Sequence, residues 1–329
     1  MARNIAKVTV IGGSGFVGTY LCGRLAADNI PFQILDLNIS ESFPEKTIKA
    51  DVRELDQLRA SISGDAVINL AAIHRDDIQD KSEYERTNVD GAKNIVTVCL
   101  EKGIKKVVFT SSVAVYGFSA SVNDESAPIA PFNSYGASKF KAEEVFRNWE
   151  APGRKLSIIR PTVIFGPGNR GNVFNLLQFI SSGKFLMVGR GENKKSMAYV
   201  ENVADFLVYC LSSDNAYELF NYIDEPDVSM NELVSYVNNS LGKTRSRLRL
   251  PYALGISIGY LADAFTALSK VKLPISSIRV KKFCTSTSFS SSYRLAGFVP
   301  KYTLYDGLHE TLMKEFVSPN PNQQTFYTE

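Results

Sequence analysis

Short, mostly apolar runs alternate along the first half of the chain with segments whose apolar residues recur every three or four positions. The runs are Lys7–Ile11, Phe32–Leu35, Thr47–Ala50, Ala66–Leu70, Lys106–Thr110 and Leu156–Arg160. Short and apolar, they predict strands. Between them, Val17, Tyr20, Leu21 and Leu25 fall on one helical face, and Phe140, Ala142, Val145, Phe146 and Trp149 fall on another. Phe132-Asn133-Ser134 reads as the start of that second helix. Strands separated by helices predict an α/β fold with a parallel, doubly wound sheet.

The second half carries a different pattern. Leu250–Leu268 is mostly apolar with one charge, Asp263, and Leu254, Ile258, Leu261, Phe265 and Leu268 repeat at helical spacing. Nine basic residues against one acidic lie between Leu241 and Lys282. A membrane span needs about 20 apolar residues, and Pro251, Gly255, Gly259 and Asp263 weaken this one. Two readings remain, a buried helix with a basic rim or an interfacial anchor on anionic lipid, and the basic flanks favour the anchor.

Composition narrows the class. With 329 residues, 44% of them hydrophobic, the chain can bury a large core. A net charge of +3 gives no reason to expect nucleic acid. Cys22, Cys99, Cys210 and Cys284 form no CxxC pair and read as reduced thiols of a cytosolic protein. Two histidines, His74 and His309, show no ligand spacing, so no metal site is expected. Met1-Ala2-Arg3-Asn4 leads straight into a strand, which leaves no room for a signal peptide.

The chemistry begins at Gly12-Gly13-Ser14-Gly15-Phe16-Val17-Gly18, between the first strand and the first helix. Gly12 and Gly15 allow a tight turn and close approach to a pyrophosphate, and Gly18 allows close helix packing. Asp36 ends the second strand, where a carboxylate suits an adenosine ribose diol and repels a 2′-phosphate. No basic residue follows it before Lys46, which favours NAD over NADP. Asp51 suits either the adenine amino group or a loop cap. Farther on, Tyr135 and Lys139 lie one turn apart on one helical face. An ammonium near a phenol favours phenolate and makes Tyr135 a candidate general base. Alone, that spacing also fits an ordinary helix turn; the glycine loop and the Ser111-Ser112 pair at a strand end change the preference.

Together the glycine loop, the serine pair and Tyr135-x-x-x-Lys139 resemble the extended short-chain dehydrogenase/reductases of the nucleotide-sugar epimerase and dehydratase type, from about Val8 to about Asp205. The resemblance implies a Rossmann-type sheet with a smaller, mostly C-terminal substrate-binding domain. Residues 1–165 would mainly bind NAD and 166–329 mainly substrate, with 196–225 returning to the first part and 243–282 forming the apolar, basic-flanked segment. It implies Ser112 as catalytic hydroxyl, Tyr135 as base and Lys139 as its partner. Cofactor contacts carry over to Gly12, Gly15, Phe16, Val17, Asp36, Asp51, Val52, Leu70, Ala71, Ala72, Tyr135, Lys139 and Pro161. Substrate contacts carry over to Ser112, Asn172, Val173 and Lys195, with Arg170 as a helper or a solvated charge and His74 in the sugar pocket or as a loop cap.

The family's dehydratases place an Asp and a Glu after the catalytic hydroxyl; here Val113 and Ala114 stand there and cannot carry protons. Epimerisation or simple oxidoreduction remains, and for epimerisation the resemblance implies a transient 4-keto sugar that turns in the pocket. Four runs, Ala72–Asp77, Phe109–Gly117, Lys195–Val200 and Arg279–Cys284, resemble more narrowly the bacterial 4-epimerases acting on N-acetylglucosamine linked to undecaprenyl diphosphate in surface polysaccharide (O-antigen) synthesis. That implies a lipid-linked sugar diphosphate as substrate, a membrane surface as partner, and a peripheral place on the cytoplasmic face of the bacterial inner membrane. A homodimer stays open. The alternatives are a soluble, cytoplasmic UDP-GlcNAc or UDP-glucose 4-epimerase, an NAD-dependent dehydrogenase of a hydrophobic alcohol, and a non-catalytic NAD-binding regulator. The last is disfavoured because a sensor needs only the glycine loop.

Overall fold

Strands wholly buried on both faces must be covered by helices on both sides, and the computed structural model has this arrangement. It describes residues 6–75, 78–118, 121–183, 185–244, 249–269, 271, 276–292 and 296–327. The central sheet runs, edge to edge, Tyr217–Tyr222, Lys155–Pro161, Lys106–Thr110, Ala66–Asn69, Val8–Ile11, Phe32–Asp36, Thr47–Lys49. Every neighbouring pair in it is parallel. The chain order reverses on either side of Val8–Ile11, which opens a crevice at the carboxyl ends of the central strands.

One face is closed by the helices Phe16–Ala27 and Val200–Ser212, through Leu21, Leu25, Phe206 and Leu207. The other is closed by Leu55–Ser61, Gly91–Glu101 and Ser134–Trp149, through Leu58, Ile95, Phe146 and Trp149. Of the apolar stripe that the spacing predicts after Tyr135, Ala142, Val145, Phe146 and Trp149 hold this helix on the sheet, while Phe140 packs in a separate cluster with Val115, Tyr116 and Phe289.

A second layer follows. Val163–Phe165, Lys194–Tyr199 and Asp224–Ser229 form a three-stranded sheet, under which the helices Asn172–Ser181, Met230–Ser240 and Leu304–Leu312 share a core with Phe165, Tyr199 and Val228. Residues 200–222 rejoin the central sheet through a helix and its edge strand, while Lys194–Tyr199 stays in the second layer. Among the described residues all four cysteines are unpaired, and no cluster of side chains could hold a metal ion.

The helix Tyr252–Ser269 settles which face the apolar repeat presents. Its small residues Gly255, Gly259 and Ala262 are buried. A Cβ on Gly255 would come within 2.6 Å of Val188, and one on Gly259 within 2.8 Å of Ser277. Leu254, Ile258, Leu261 and Phe265 point outward instead, 52%, 40%, 71% and 51% exposed. Only small side chains permit that close approach, so the large ones are left outside. The side chain of Leu268 and residues 245–248, 270 and 272–275, which carry several of the expected flanking cations, lie outside the described residues. Among the described residues no helix is long and apolar enough to cross a membrane.

Candidate active site

The glycine loop follows the strand Val8–Ile11 and caps the helix Phe16–Ala27. Gly12 has φ +80°, and a Cβ there would lie 2.7 Å from the amide nitrogen of Ala71. A Cβ on Gly18 would meet Gly13 Cα at 2.5 Å, so the loop folds onto its own helix only because this position is bare. A Cβ on Gly15 would meet only one atom within 4 Å, the Gly12 carbonyl at 3.5 Å, which leaves the helix start open to a ligand. Asp36 lies at the rim of the loop. Its Oδ2 accepts from the Ser14 amide at 3.0 Å and its Oδ1 from the Asn38 amide at 3.1 Å. These bonds orient the carboxylate and leave lone pairs for a diol. A negative helix-start ligand, a bare cradle and an acidic rim fit a dinucleotide without a 2′-phosphate.

The other expected cofactor positions gather along the same edge. Leu70, Ala71 and Ala72 leave Ala66–Asn69, with the Ala71 amide donating to Asn69 Oδ1 at 3.1 Å, and Pro161 ends Lys155–Pro161. Val52 is buried beneath Gly91. Phe16 is buried and Val17 half-buried. Asp51 caps its own loop: its carboxylate holds the Arg53 guanidinium at 2.6 Å and the Arg53 amide at 2.9 Å. The Arg53 hydrogen bond holds the Asp51 carboxyl below its usual range.

Ser112, Tyr135 and Lys139 come from two elements beyond the strand Lys106–Thr110. Ser112 caps a single helical turn, Val113–Tyr116, and its Oγ accepts from the Ala114 amide at 3.1 Å. That bond uses an oxygen lone pair and leaves the hydroxyl hydrogen to be donated. Tyr135 and Lys139 sit in the first turns of Ser134–Trp149, whose N-cap Asn133 accepts from the Gly136 amide at 2.8 Å. Ser138, between them, donates to the Tyr135 carbonyl at 2.8 Å and accepts from Asn88 at 2.9 Å. Asn88 in turn accepts from the Ile73 amide at 2.9 Å. The tyrosine's helix is thereby tied to the loop that follows Ala66–Asn69. Asn88 lies in a π-helical widening, Glu85–Asp90, a distortion that recurs at functional sites.

Lys139 is 2% exposed, with its ammonium 4.4 Å from the centre of the Phe109 ring. Burial pulls its pKa down to about 7, and Glu143 opposes that shift.

Behind it lies a buried polar chain that sequence reasoning missed. Glu143 accepts from Arg160 at 2.5 and 2.8 Å, both residues at most 1% exposed. Arg160 also donates to the Tyr116 hydroxyl at 2.7 Å, which donates to Asn221 at 2.8 Å; Asn221 donates to the Ser290 carbonyl at 2.9 Å. The chain joins the lysine's helix, the serine turn and a late segment of the polypeptide. Two signals for it were present, a glutamate four residues after Lys139 and an arginine inside an apolar strand.

On the second layer, Asn172 opens the helix Asn172–Ser181 and is exposed, and Val173 beside it is buried. His74 is exposed in the loop after Ala66–Asn69. Two expected substrate residues are turned elsewhere. Arg170 pairs with Glu315, whose side chain is 4% exposed, at 2.9 Å and lies over the Phe174 ring. Lys195 donates to the carbonyls of Lys282 and Thr285 at 2.9 and 2.7 Å, so it caps the helix Ser277–Cys284 from below. Both corrections have one cause: the late segments supply partners that neighbouring sequence does not. Burial lowers the Lys195 pKa to about 8.

Comparison with known proteins gives this geometry its relatives. A model of the NAD dependent epimerase/dehydratase family matches residues 8–222. The N-acetyl-alpha-D-glucosaminyl-diphospho-ditrans,octacis-undecaprenol 4-epimerase of Escherichia coli O157:H7 is 48% identical over 329 residues, covering 98% of this chain and 99% of that relative. The 3beta-hydroxysteroid-dehydrogenase/decarboxylase isoform 1 of Arabidopsis thaliana is 28% identical, covering 92% of this chain and 78% of its own. Among solved structures, the UDP-N-acetylglucosamine 4-epimerase of Methanobrevibacter ruminantium M1 in complex with UDP-N-acetylmuramic acid superposes with a TM-score of 0.74 at 22% identity, over 93% of this chain and 97% of that one. At that identity the likeness is one of fold.

Proposed function

The chain belongs to the NAD dependent epimerase/dehydratase family, and from that premise we propose that it is an NAD-dependent 4-epimerase interconverting the N-acetylglucosamine and N-acetylgalactosamine forms of an undecaprenyl-diphosphate-linked sugar. The observation that carries the reading is the 48% identity, along essentially the whole of both chains, to a relative named for that reaction. NAD, when bound, supplies the acceptor and donor of hydride. Gly12, Gly15 and the start of the helix Phe16–Ala27 would hold its pyrophosphate and Asp36 its adenosine ribose. Tyr135 takes the proton from the C4 hydroxyl and returns it after the sugar has turned. Ser112 donates its hydroxyl hydrogen to the same oxygen, and Lys139 holds positive charge near the phenol. Val113 and Ala114, having no ionisable group, leave the neighbouring carbons untouched. Residues up to 162, with 200–222, would form the cofactor part, and the second layer, which begins with Val163–Phe165, the substrate part.

A substrate held in a bilayer requires the enzyme to meet the bilayer. We assign that contact to the outward face of Tyr252–Ser269 and to the cations of Ser277–Cys284, and we read the protein as peripheral on the cytoplasmic face of the inner membrane. Support comes from the exposed Leu254, Ile258, Leu261 and Phe265, together with Arg279, Lys281 and Lys282 on the adjoining helix. An apolar face flanked by cations suits an anionic surface.

The test is to incubate the protein and NAD with radiolabelled GlcNAc-diphosphoundecaprenol and, separately, with UDP-GlcNAc, and to separate the released sugars. Conversion of the lipid-linked sugar to the galacto form is expected. Conversion of UDP-GlcNAc alone would overturn the substrate assignment.

A further inference from the structure

We propose that Phe118, Phe132 and Lys282 form a site for the diphosphate and first isoprene units of a polyprenyl-linked sugar, beside the reacting sugar. The proposal rests on the substrate class given above. Phe118 and Phe132 stack with ring centres 4.4 Å apart and an interplanar angle of 32°. Both rings are 46% and 44% exposed, and neither joins any of the core clusters among the described residues. Two large aromatic side chains stacked at the surface outside a core call for a partner.

Their position is fixed by the site. Phe118 follows the turn Val113–Tyr116 that Ser112 caps, and Phe132 immediately precedes Asn133, the cap of the helix that carries Tyr135. The two loops cross at Gly117, with φ +71°, where a Cβ would lie 2.0 Å from the Ala130 carbonyl oxygen. The aromatic pair is thus locked between the two elements that bear the serine and the tyrosine.

A cation is held against it. The Lys282 ammonium lies 5.2 Å from the centre of the Phe132 ring. Its helix is anchored by Lys195, whose ammonium donates to the Lys282 and Thr285 carbonyls. Lys195, expected to meet a diphosphate itself, instead sets the place of the lysine that does. One turn earlier on that helix Ile278 is 48% exposed, and Lys281 lies 5.5 Å from the Tyr260 ring on the outward-facing helix. Exposed apolar side chains therefore lie on both sides of Lys282, the Phe118–Phe132 pair on one and Ile278 with the outward face of Tyr252–Ser269 on the other. An anion next to the sugar followed by a long apolar chain fits that order of chemistry. A nucleoside would fill the aromatic step but not the surface beyond it.

The experiment compares GlcNAc diphosphate esterified with farnesol, which retains three isoprene units, against the methyl ester, which has none. Phe118→Ser with Phe132→Ser is expected to raise KM for the farnesyl ester by roughly tenfold, from lost apolar burial, while kcat and the methyl ester are unaffected. Lys282→Gln is expected to raise KM for both esters together. Phe118→Leu with Phe132→Leu should restore most of the farnesyl preference, and this arm decides if the serine pair melts early. Equal effects of the aromatic variants on both esters, or none on either, would overturn the site. A wild-type enzyme that turns over UDP-GlcNAc but neither ester would instead remove the substrate reading on which the site rests.

Discussion

Replacing Leu254, Ile258 and Phe265 with Asn separates a lipid-facing helix from an ordinary one. These side chains are 52%, 40% and 51% exposed, so about half of each is available to a bilayer. Full burial of such a side chain is worth roughly 1.5–3 kcal/mol, so the exposed halves contribute about 1 kcal/mol each and about 3 kcal/mol together. At about 1.4 kcal/mol per decade, that is roughly a hundredfold in vesicle partitioning, and the Asn amides oppose insertion further. The fold should tolerate the change, because its contacts on this helix run through Gly255, Gly259 and Ala262, and substitutions at exposed positions usually shift stability by about 0.5 kcal/mol or less. The cations of Ser277–Cys284 remain, each worth about 1 kcal/mol near an anionic surface, so a salt-sensitive remnant of binding should persist. Flotation with anionic vesicles at low and high salt measures partitioning, and a melting curve on the same sample measures the fold. Loss of the apolar component with melting unchanged within a few degrees is expected, as is slower turnover of the lipid-linked sugar. Unaltered flotation, or a protein that no longer melts cooperatively, would refute the reasoning.

Three further outcomes follow from the site. Tyr135→Phe should cut turnover by about 10²–10⁴-fold, the usual contribution of a general acid–base group, while NAD binding followed by calorimetry is retained; near-normal turnover would remove Tyr135 from the role. Asp36→Ala should weaken NAD and narrow its advantage over NADP in a direct titration, and a wild-type preference for NADP would contradict the ribose argument. Lys139→Met should abolish turnover yet raise the melting temperature of the cofactor-free protein. Burial holds the folded pKa at about 7 against 10.5 for an ordinary lysine. Between those values the unfolded chain binds the extra proton, so stability rises with pH, and below about 7 the penalty is fully present. The gain in the variant should therefore be largest below pH 7 and fade toward pH 10; a lower melting temperature at pH 6 would contradict the burial argument.

Much of this protein could be read along the chain. Strand and helix periodicity gave the parallel sheet, and the glycine loop, Asp36 and the Tyr135–Lys139 spacing marked one edge of it, because each depends on residues only a few positions apart. Resemblance then brought in Ser112 and the chemistry. Partnerships over long separations had no such signal. Arg170 reads as a free cation until Glu315 arrives beside it. Lys195 reads as an anion ligand until the carbonyl of Lys282, 87 residues on, accepts a hydrogen bond from its ammonium. Glu143 and Arg160 lie 17 positions apart, and nothing in the chain pairs them until helix and strand bury them against each other. The apolar repeat of Tyr252–Ser269 was visible from the start, but periodicity fixes only which residues share a face. Whether that face turns inward was decided by Ser277 and Val188, which approach the helix so closely that only Gly255 and Gly259 fit between.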